Sequence, residues 1–525
     1  MALARAFGVV VSGVDAHLVE VEAHLSPGLP SMYIVGLADT AVAESRDRVR
    51  AAVLNSGARW PQHRITVGLS PASLQKRGSS LDIAIASAVL AADGQVPAEP
   101  LQDAVLFGEL GLDGRVRPVR GAVVAAVAAA RAGRARIVLA RRNAAEASVV
   151  PGIQSLGIGS LRQWGAILAG QVEEEVGEGL DAALESDWAV PAEPEPSPSV
   201  GRVGPDLADV LGQPEAIAAL EVAAVGGHHM AMVGRPGVGK TLLAERLPTI
   251  LPDLCDSDAL TVTAIRSLVA EVRGLVRRPP FQAPHHTATV AAIVGGGRGG
   301  QATPGAVTLA HGGVLFLDEA AEFSSACLEA LRLPLESGSV CIARAGFTAR
   351  MPARFQLVLA ANPCPCGMGD GAGEACRCRS ADRRRYLARL SGPMMDRVDI
   401  RLVLGAPRAS TWTPGAIGVD SATVRHRVVQ ARQRSAHRAA RLGLPADLNG
   451  SQASALLRGP LAPDPTAADL LGAAISTGRL SARGADRVIR VAWSLADLAG
   501  ADRPAPVHVG RALTLRDVDG GFSLG

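Results

Sequence analysis

The sequence predicts an α/β protein built from more than one domain. Short apolar β-like runs alternate with Ala-rich helical ones from the N-terminus to about residue 405. One of those runs leads into a Gly-rich loop and then a helix, and a single acidic, Pro-rich stretch divides the alternation in two. A chain of 53.8 kDa exceeds what one core fills, so about two to four domains are expected.

In the first block, 1–170, residues 18–24 and 64–69 read as strands, 43–54 and 81–92 as helices, and 136–140 as a buried strand. Residues 171–203 carry Glu173, Glu174, Glu175, Glu178, Asp181, Glu185, Asp187, Glu193 and Glu195 before a Pro-Ser-Pro-Ser run. Such a stretch cannot bury enough apolar area to order itself, so it reads as a linker. The block 204–405 alternates β and α around the Gly-rich loop. The last block, 406–525, is mostly helical, with 480–499 its strongest periodic segment.

Composition narrows the function classes. Apolar residues make up 48% and charged ones 20%, the balance of a globular chain. Of 53 basic residues 51 are Arg and two are Lys, which reads as genomic base bias and carries no functional weight. A net charge of +3 does not announce a nucleic-acid protein, so any basic surface must be local. No apolar run reaches the roughly 18 residues a spanning helix needs, since the longest Ala/Val run ends at Arg131. The N-terminus lacks the charged-then-apolar order of a signal peptide. Four of the seven cysteines fall within 364–378, unlike a secreted disulfide scaffold, and a cytoplasmic location is expected.

The chemistry centres on Gly234-Arg235-Pro236-Gly237-Val238-Gly239-Lys240-Thr241, which fits the phosphate-cradling pattern G-x-x-x-x-G-K-[ST]. A slim ammonium reaches between phosphates where a guanidinium would crowd the loop, so a Lys at this position in an Arg-rich chain is informative. Residues 230–234 form the strand before the loop, and the helix after it begins near Thr241. Loop N–H groups and the helix N-terminus would hold the phosphates, with the Thr241 hydroxyl on Mg²⁺. The apolar run at 314–317 ends in Asp318 and Glu319, the first placed to position Mg²⁺ and the second to orient or deprotonate the attacking water. A third run, 355–361, ends in Asn362, which reaches the same sheet edge if the strands are parallel. A turn-starting Asn-Pro is the other reading of Asn362.

These motifs and their order resemble the AAA+ ATPases, and within them the magnesium-chelatase-like ComM/YifB group. The likeness extends to Gly212-Gln213, Ala283-Pro284-His285-His286-Thr287, Ala361-Asn362-Pro363-Cys364-Pro365-Cys366-Gly367, the segment 390–399 and the N-terminal segments 26–30 and 34–46. The resemblance implies an N-domain similar to ribosomal protein S5 and Lon protease, an AAA+ P-loop parallel-sheet domain and a C-terminal helical lid. It also implies that residues 210–213 border the adenine and that Asn362 is sensor 1. Arg397 would be an arginine finger acting on a neighbouring subunit, which implies a ring, most often a homo-hexamer. Arg483 would be sensor 2, with Arg487 a second candidate on the same helix face. Ser80 stands where the Lon nucleophile would be. Val123 occupies the place of its Lys, and Lys76 precedes the serine, so the domain reads as proteolytically dead.

Three features remain open in the sequence. Cys364, Cys366, Cys376 and Cys378 form C-x-C-x₉-C-x-C, either a structural Zn²⁺ site or four reduced thiols. His285, His286 and the Gly-rich segment around Arg298 read as a phosphate-backbone contact or as an ordered loop. The hairpin-like stretch 339–350 presents Arg344 and Arg350, and Arg377, Arg379, Arg383, Arg384 and Arg385 make the densest basic cluster, a DNA contact or a solvated helix face. The resemblance implies an ATP-driven DNA translocase promoting branch migration during natural transformation. A chelatase-like ATPase that remodels a protein partner is the other expectation.

Overall fold

The computed structural model describes residues 2–37, 39–76, 78–171, 204–298, 301–344, 347–369, 376–390, 392–405 and 418–516. Nearly all of the expected linker, 172–203, and the first residues of the helical block, 406–417, lie outside the described residues.

The N-terminal block holds β1 (Ala2–Ser12), β2 (Asp15–Ser26), β3 (Ser31–Val35), α1 (Thr40–Asn55), β4 (Arg64–Ser70), α2 (Asp82–Ala92), β5 (Ala104–Phe107), the short β6 (Glu109–Leu110) and β7 (Val116–Arg117), α3 (Ala122–Arg131), β8 (Arg136–Ala140), α4 (Arg141–Ala147), β9 (Gln154–Ile158) and α5 (Leu161–Leu168). Every element expected here is present. Alternation in β2 buries Val19, Val21, Ala23 and Leu25 on one face, while Glu20 and Glu22 keep to the other. Seven strands form one mixed sheet in the order β3-β4-β2-β1-β5-β8-β9. One apolar cluster gathers α1, α2 and α5 on one face, and a second lies under α3 on the other.

The second block runs α6 (Pro214–Gly226), β10 (Met230–Gly234), α7 (Lys240–Ile250), α8 (Asp256–Ser267), β11 (Phe281–Gln282), α9 (Val290–Val294), β12 (Gly296–Arg298), β13 (Gln301–Thr303), α10 (Ala306–Leu309) and β14 (Val314–Leu317). It continues through α11 (Ser325–Ala330), α12 (Arg332–Ser337), β15 (Ser339–Arg344), β16 (Phe347–Pro352), β17 (Gln356–Ala361), α13 (Ser380–Ala388), α14 (Gly392–Met395) and β18 (Ile400–Leu404). Its central sheet is parallel throughout, in the order β11-β14-β17-β10-β18. Both faces are covered, which is why these strands are continuously apolar. Met230, Met232, Val314, Phe316 and Val358 face one cluster, and Ala231, Val233, Leu315, Leu317 and Leu357 face the other. In this order the tips of β14, β17 and β10 lie side by side. β15 and β16 pair as the expected antiparallel hairpin, with Cys341 opposite Arg350.

The C-terminal block is helical: α15 (Ser421–Arg441), α16 (Ser454–Leu457), α17 (Pro465–Ser476), α18 (Ala482–Ala499) and α19 (Pro506–Arg516). Ser481 caps α18 by accepting from the Gly484 N–H, and Gly500 ends it at φ 72°. Val424 and Val428 of α15, Leu471, Val488, Trp493 and Val509 share one apolar cluster with Met230 of β10 and Leu243 and Leu247 of α7. A buried polar network reinforces that seam. Asp399 receives Arg487 at 2.5 Å and His228 at 3.3 Å, and the other nitrogen of His228 meets Ser494 at 2.8 Å. Burial works against the Asp399 charge, yet the His228 hydrogen bond and the Arg487 charge hold its carboxyl well below the usual range.

The first two blocks dock through α8. Leu260, Ala264 and Leu268 pack into the cluster under α3. The Gly121 N–H donates to the Ser267 carbonyl at 2.8 Å, Arg142 pairs with Glu271 at 2.7 Å, and the Val272 N–H donates to Glu146 at 3.0 Å. Glu146 is 3% exposed, and burial pushes its carboxyl up to about 7 against the opposing pull of the Val272 hydrogen bond. A raised carboxyl favours the protonated form, so its contribution is fully present below the ordinary value and is lost as pH rises through about 7. From pH 5 to 8 the melting temperature of the wild type should therefore fall relative to that of Glu146→Gln, by an amount reflecting up to about 3 kcal/mol. Parallel melting curves of the two proteins across that range check it.

Candidate functional site

The parallel strand order brings the expected nucleotide residues to one edge. β10 is buried along its whole length and ends at Gly234, where an added Cβ would lie 2.8 Å from the Leu404 carbonyl. Gly237 and Gly239 then adopt left-handed φ values of 82° and 92°, and an added Cβ at either would meet nothing within 4 Å. The loop is thus a concavity with open space over its glycines, and α7 starts directly behind it at Lys240 with its first N–H groups free of intrahelical partners. The Lys240 ammonium donates to the carbonyls of Gly234 at 2.6 Å and Arg235 at 3.0 Å. It also donates to Asn362 Oδ1 at 3.0 Å, so the tip of β17 reaches the loop as expected. Burial lowers the Lys240 pKa, while the charges of Asp318 and Glu319 work to raise it.

On the other side of the loop the Thr241 hydroxyl donates to Asp318 Oδ2 at 2.8 Å, and Asp318 Oδ1 accepts the Glu319 N–H at 2.9 Å. Thr241 and Asp318 therefore present a hydroxyl and a carboxylate to one point beside the phosphate loop, a hard-oxygen set that suits Mg²⁺. Glu319 has φ 49° and ψ 43°, left-handed backbone that is uncommon outside glycine. Its carboxylate meets His286 Nδ1 at 3.1 Å. Gln213 bridges the Val238 carbonyl at 3.2 Å and the Gly405 carbonyl at 3.1 Å, after Gly212 turns the chain at φ 75°.

The three arginines singled out in the sequence have other surroundings. Arg397 pairs with Glu336 of its own chain and donates to the Pro393 carbonyl at 2.5 Å, and its described contacts include none with the phosphate loop. Arg483 is exposed in the first turn of α18 and makes no hydrogen bond or ion pair among the described residues. Arg487 is committed to Asp399.

Cys364, Cys366, Cys376 and Cys378 converge with all four sulfurs within 4.8 Å of one another. Cys364 lies 3.3 Å from Cys366 and 3.7 Å from Cys376, and Cys366 also lies 3.7 Å from Cys376. Their loop leans on the phosphate loop, where a Cβ at Gly367 would come within 2.8 Å of Pro236. The Arg383 side chain lies against Gly369, while Arg377, Arg379, Arg384 and Arg385 are exposed around α13. Arg350 is exposed on the hairpin and donates to Ser339 at 3.2 Å. The side chains of Arg298 and Arg344 lie outside the described residues.

The magnesium chelatase subunit ChlI family matches residues 206–411, with companion ChlI models over 21–143 and 418–516. An uncharacterized protein of Mycobacterium tuberculosis is 49% identical over 98% of this chain and 99% of its own length. Uncharacterized protein YifB of Escherichia coli is 40% identical over 97% and 96%, and competence protein ComM of Haemophilus influenzae is 38% identical over 98% of each chain. The chain belongs to the magnesium-chelatase-like ComM/YifB family. It is an ATPase-type member of that family, and ATP and Mg²⁺ are the ligands its loop, hydroxyl and carboxylate suit.

In this family member the N-domain serine has no base. Ser80 is 6% exposed and donates to the Val9 carbonyl at 3.0 Å, Val123 is fully buried among apolar side chains, and the Lys76 ammonium is spent on the Pro71 carbonyl. Sequence reasoning missed the contact of His286 with Glu319. The signal was available: β11 pairs in parallel beside β14, so whatever follows Gln282 emerges next to Asp318 and Glu319. Lys240→Ala should abolish ATP turnover, and Asp318→Asn should lower it by about 10²-fold or more. Released phosphate measured at saturating Mg²⁺ and ATP checks both variants.

Proposed function

We propose that this chain is the subunit of a ring-forming, Mg²⁺-dependent ATPase that translocates on DNA, with branch migration during recombination as its task. The observation that carries the motor part is the meeting of Lys240, Thr241, Asp318 and Asn362 at one sheet edge. The phosphate loop and the α7 N-terminus hold the nucleotide's phosphates, Lys240 approaches the β/γ-phosphates, and Glu319 orients and deprotonates the attacking water. Bound Mg²⁺, held by Thr241 and Asp318, supplies charge neutralisation at the β- and γ-phosphate oxygens. Asn362 fixes the position of Lys240 or of the water. Arg397 exchanges Glu336 for the nucleotide of the next protomer in the ring, which makes hydrolysis depend on assembly. Arg483, unpaired among the described residues, is free to reach the phosphates from the lid side.

DNA as the track is supported by the competence protein among the relatives and by the exposed arginines of α13 and the hairpin. Guanidinium contacts of that kind bind the phosphate backbone without reading sequence and weaken as salt rises. Single-stranded or branched DNA should stimulate ATP hydrolysis several-fold at low salt, and added salt should suppress the effect. An ATPase assay with single-stranded, duplex and four-way DNA side by side tests it. If none of the three stimulates and none binds, the track is a protein partner, as a chelatase-type remodelling ATPase would require.

The four cysteines hold Zn²⁺ in this reading. Tetrahedral Zn–S bonds of about 2.3 Å place sulfurs about 3.8 Å apart, close to the spacings of 3.3 and 3.7 Å found here. Zinc would tie the residues after Asn362 to α13 and press Gly367 onto Pro236. Protein purified without chelator should carry about one zinc per chain by elemental analysis, and Cys376→Ser/Cys378→Ser should lose it.

A further inference from the structure

We propose that His286 is a positioning residue for ATP hydrolysis: it holds the carboxylate of Glu319 in the direction from which the attacking water is deprotonated. The inference rests on the ATPase reading above and adds a residue to it. Glu319 stands at the tip of β14 in left-handed backbone, at φ 49°. Its N–H is taken by Asp318 and its carbonyl accepts from the Glu322 N–H at 2.7 Å, so the main chain is fixed while the side chain, 52% exposed, is not. A Glu side chain left to itself samples many rotamers. The one described side-chain partner of its carboxylate is His286, with Nδ1 at 3.1 Å from Oε2.

The imidazole is itself held. Phe281 pairs with Val314 and Gln282 with Leu315, so the segment after β11 must leave the sheet beside the tip of β14. The Ala288 N–H donates to the His285 carbonyl at 2.9 Å, closing a turn around His286. The ring of His285 lies 4.1 Å from that of His286, centroid to centroid, and His285 Nδ1 is fixed to the Thr287 hydroxyl at 2.8 Å. His286 is about one-third exposed, so the pair stands at the rim of the site with one ring bracing the other. To meet a carboxylate, Nδ1 must carry the proton and donate it as a hydrogen bond. A donor fixed on one oxygen leaves the second carboxylate oxygen free to accept a proton from water. Strained backbone, a single fixed donor and a braced ring together specify one direction for the Glu319 carboxylate.

Because the contact is made with the base and not with the nucleotide loop, its loss should slow the chemical step and spare binding. His286→Leu should lower kcat about tenfold to a hundredfold while leaving the KM for ATP and the affinity for a fluorescent ATP analogue unchanged. His286→Asn, whose amide N–H sits close to the place of Nδ1, should recover most of the rate. In a Glu319→Gln background, His286→Leu should bring no further loss, since the two act as one unit. The proposal is overturned if His286→Leu turns over at or above the wild-type rate, if Asn does not rescue, or if the two losses multiply. Absence of turnover in the wild type alongside intact nucleotide binding would instead overturn the ATPase reading itself.

Discussion

The geometry of the site depends on one constraint, the parallel order β11-β14-β17-β10-β18. Parallel strands all end on the same edge, so residues scattered over more than a hundred positions meet without any special folding of loops. β10 delivers the phosphate loop, β14 delivers Asp318 and Glu319, and β17 delivers Asn362. The cross-links then form where neighbours must touch: Lys240 with Asn362 across the β10/β17 boundary, and Thr241 with Asp318 from the helix behind. Edge strand β11 completes the set by bringing the histidine pair beside Glu319. A shift of any of these strands by one residue would turn its apolar side chains to the wrong face and withdraw its polar tip together.

Burial explains which charges are placed and which are incidental. Both lysines of the chain are buried, Lys76 completely and Lys240 at 8% exposure, whereas the arginines are spread over surface, seams and lid. A buried ammonium must be surrounded by acceptors, and each of these two is. Asp399 plays the corresponding part for the lid. Its charge survives burial because His228 and Arg487 supply donors and positive charge from two different blocks of the chain.

Much of the motor was legible in the sequence because its signals are local. Glycine spacing, four-residue apolar runs and the polar residue that ends each run fixed β10, β14 and β17 and the site residues Lys240, Thr241, Asp318 and Asn362. The C-x-C pairs likewise announced a convergence that the structure contains. What escaped depends on tertiary neighbours. That Arg487 would bind Asp399 instead of facing outward follows from α18 packing on β10 and α6, which no periodicity reveals. That Arg397 would pair with Glu336 follows from α12 lying beside the turn after α14. The docking of α8 on the N-terminal sheet is of the same kind, since Leu260, Ala264 and Leu268 read equally well as an ordinary helix face.

The seam between the nucleotide block and the C-terminal helices contains no plane of weakness. Side chains from β10, α7, α15, α18 and α19 interlock in one apolar mass, and the Asp399 network crosses it as a second fastening. A lid attached in that way cannot flap independently of the loop it covers. Whatever shift follows the arrival or departure of a phosphate must be expressed as tilting of the whole body, which turns a chemical event of atomic size into leverage at the far ends of the protomer.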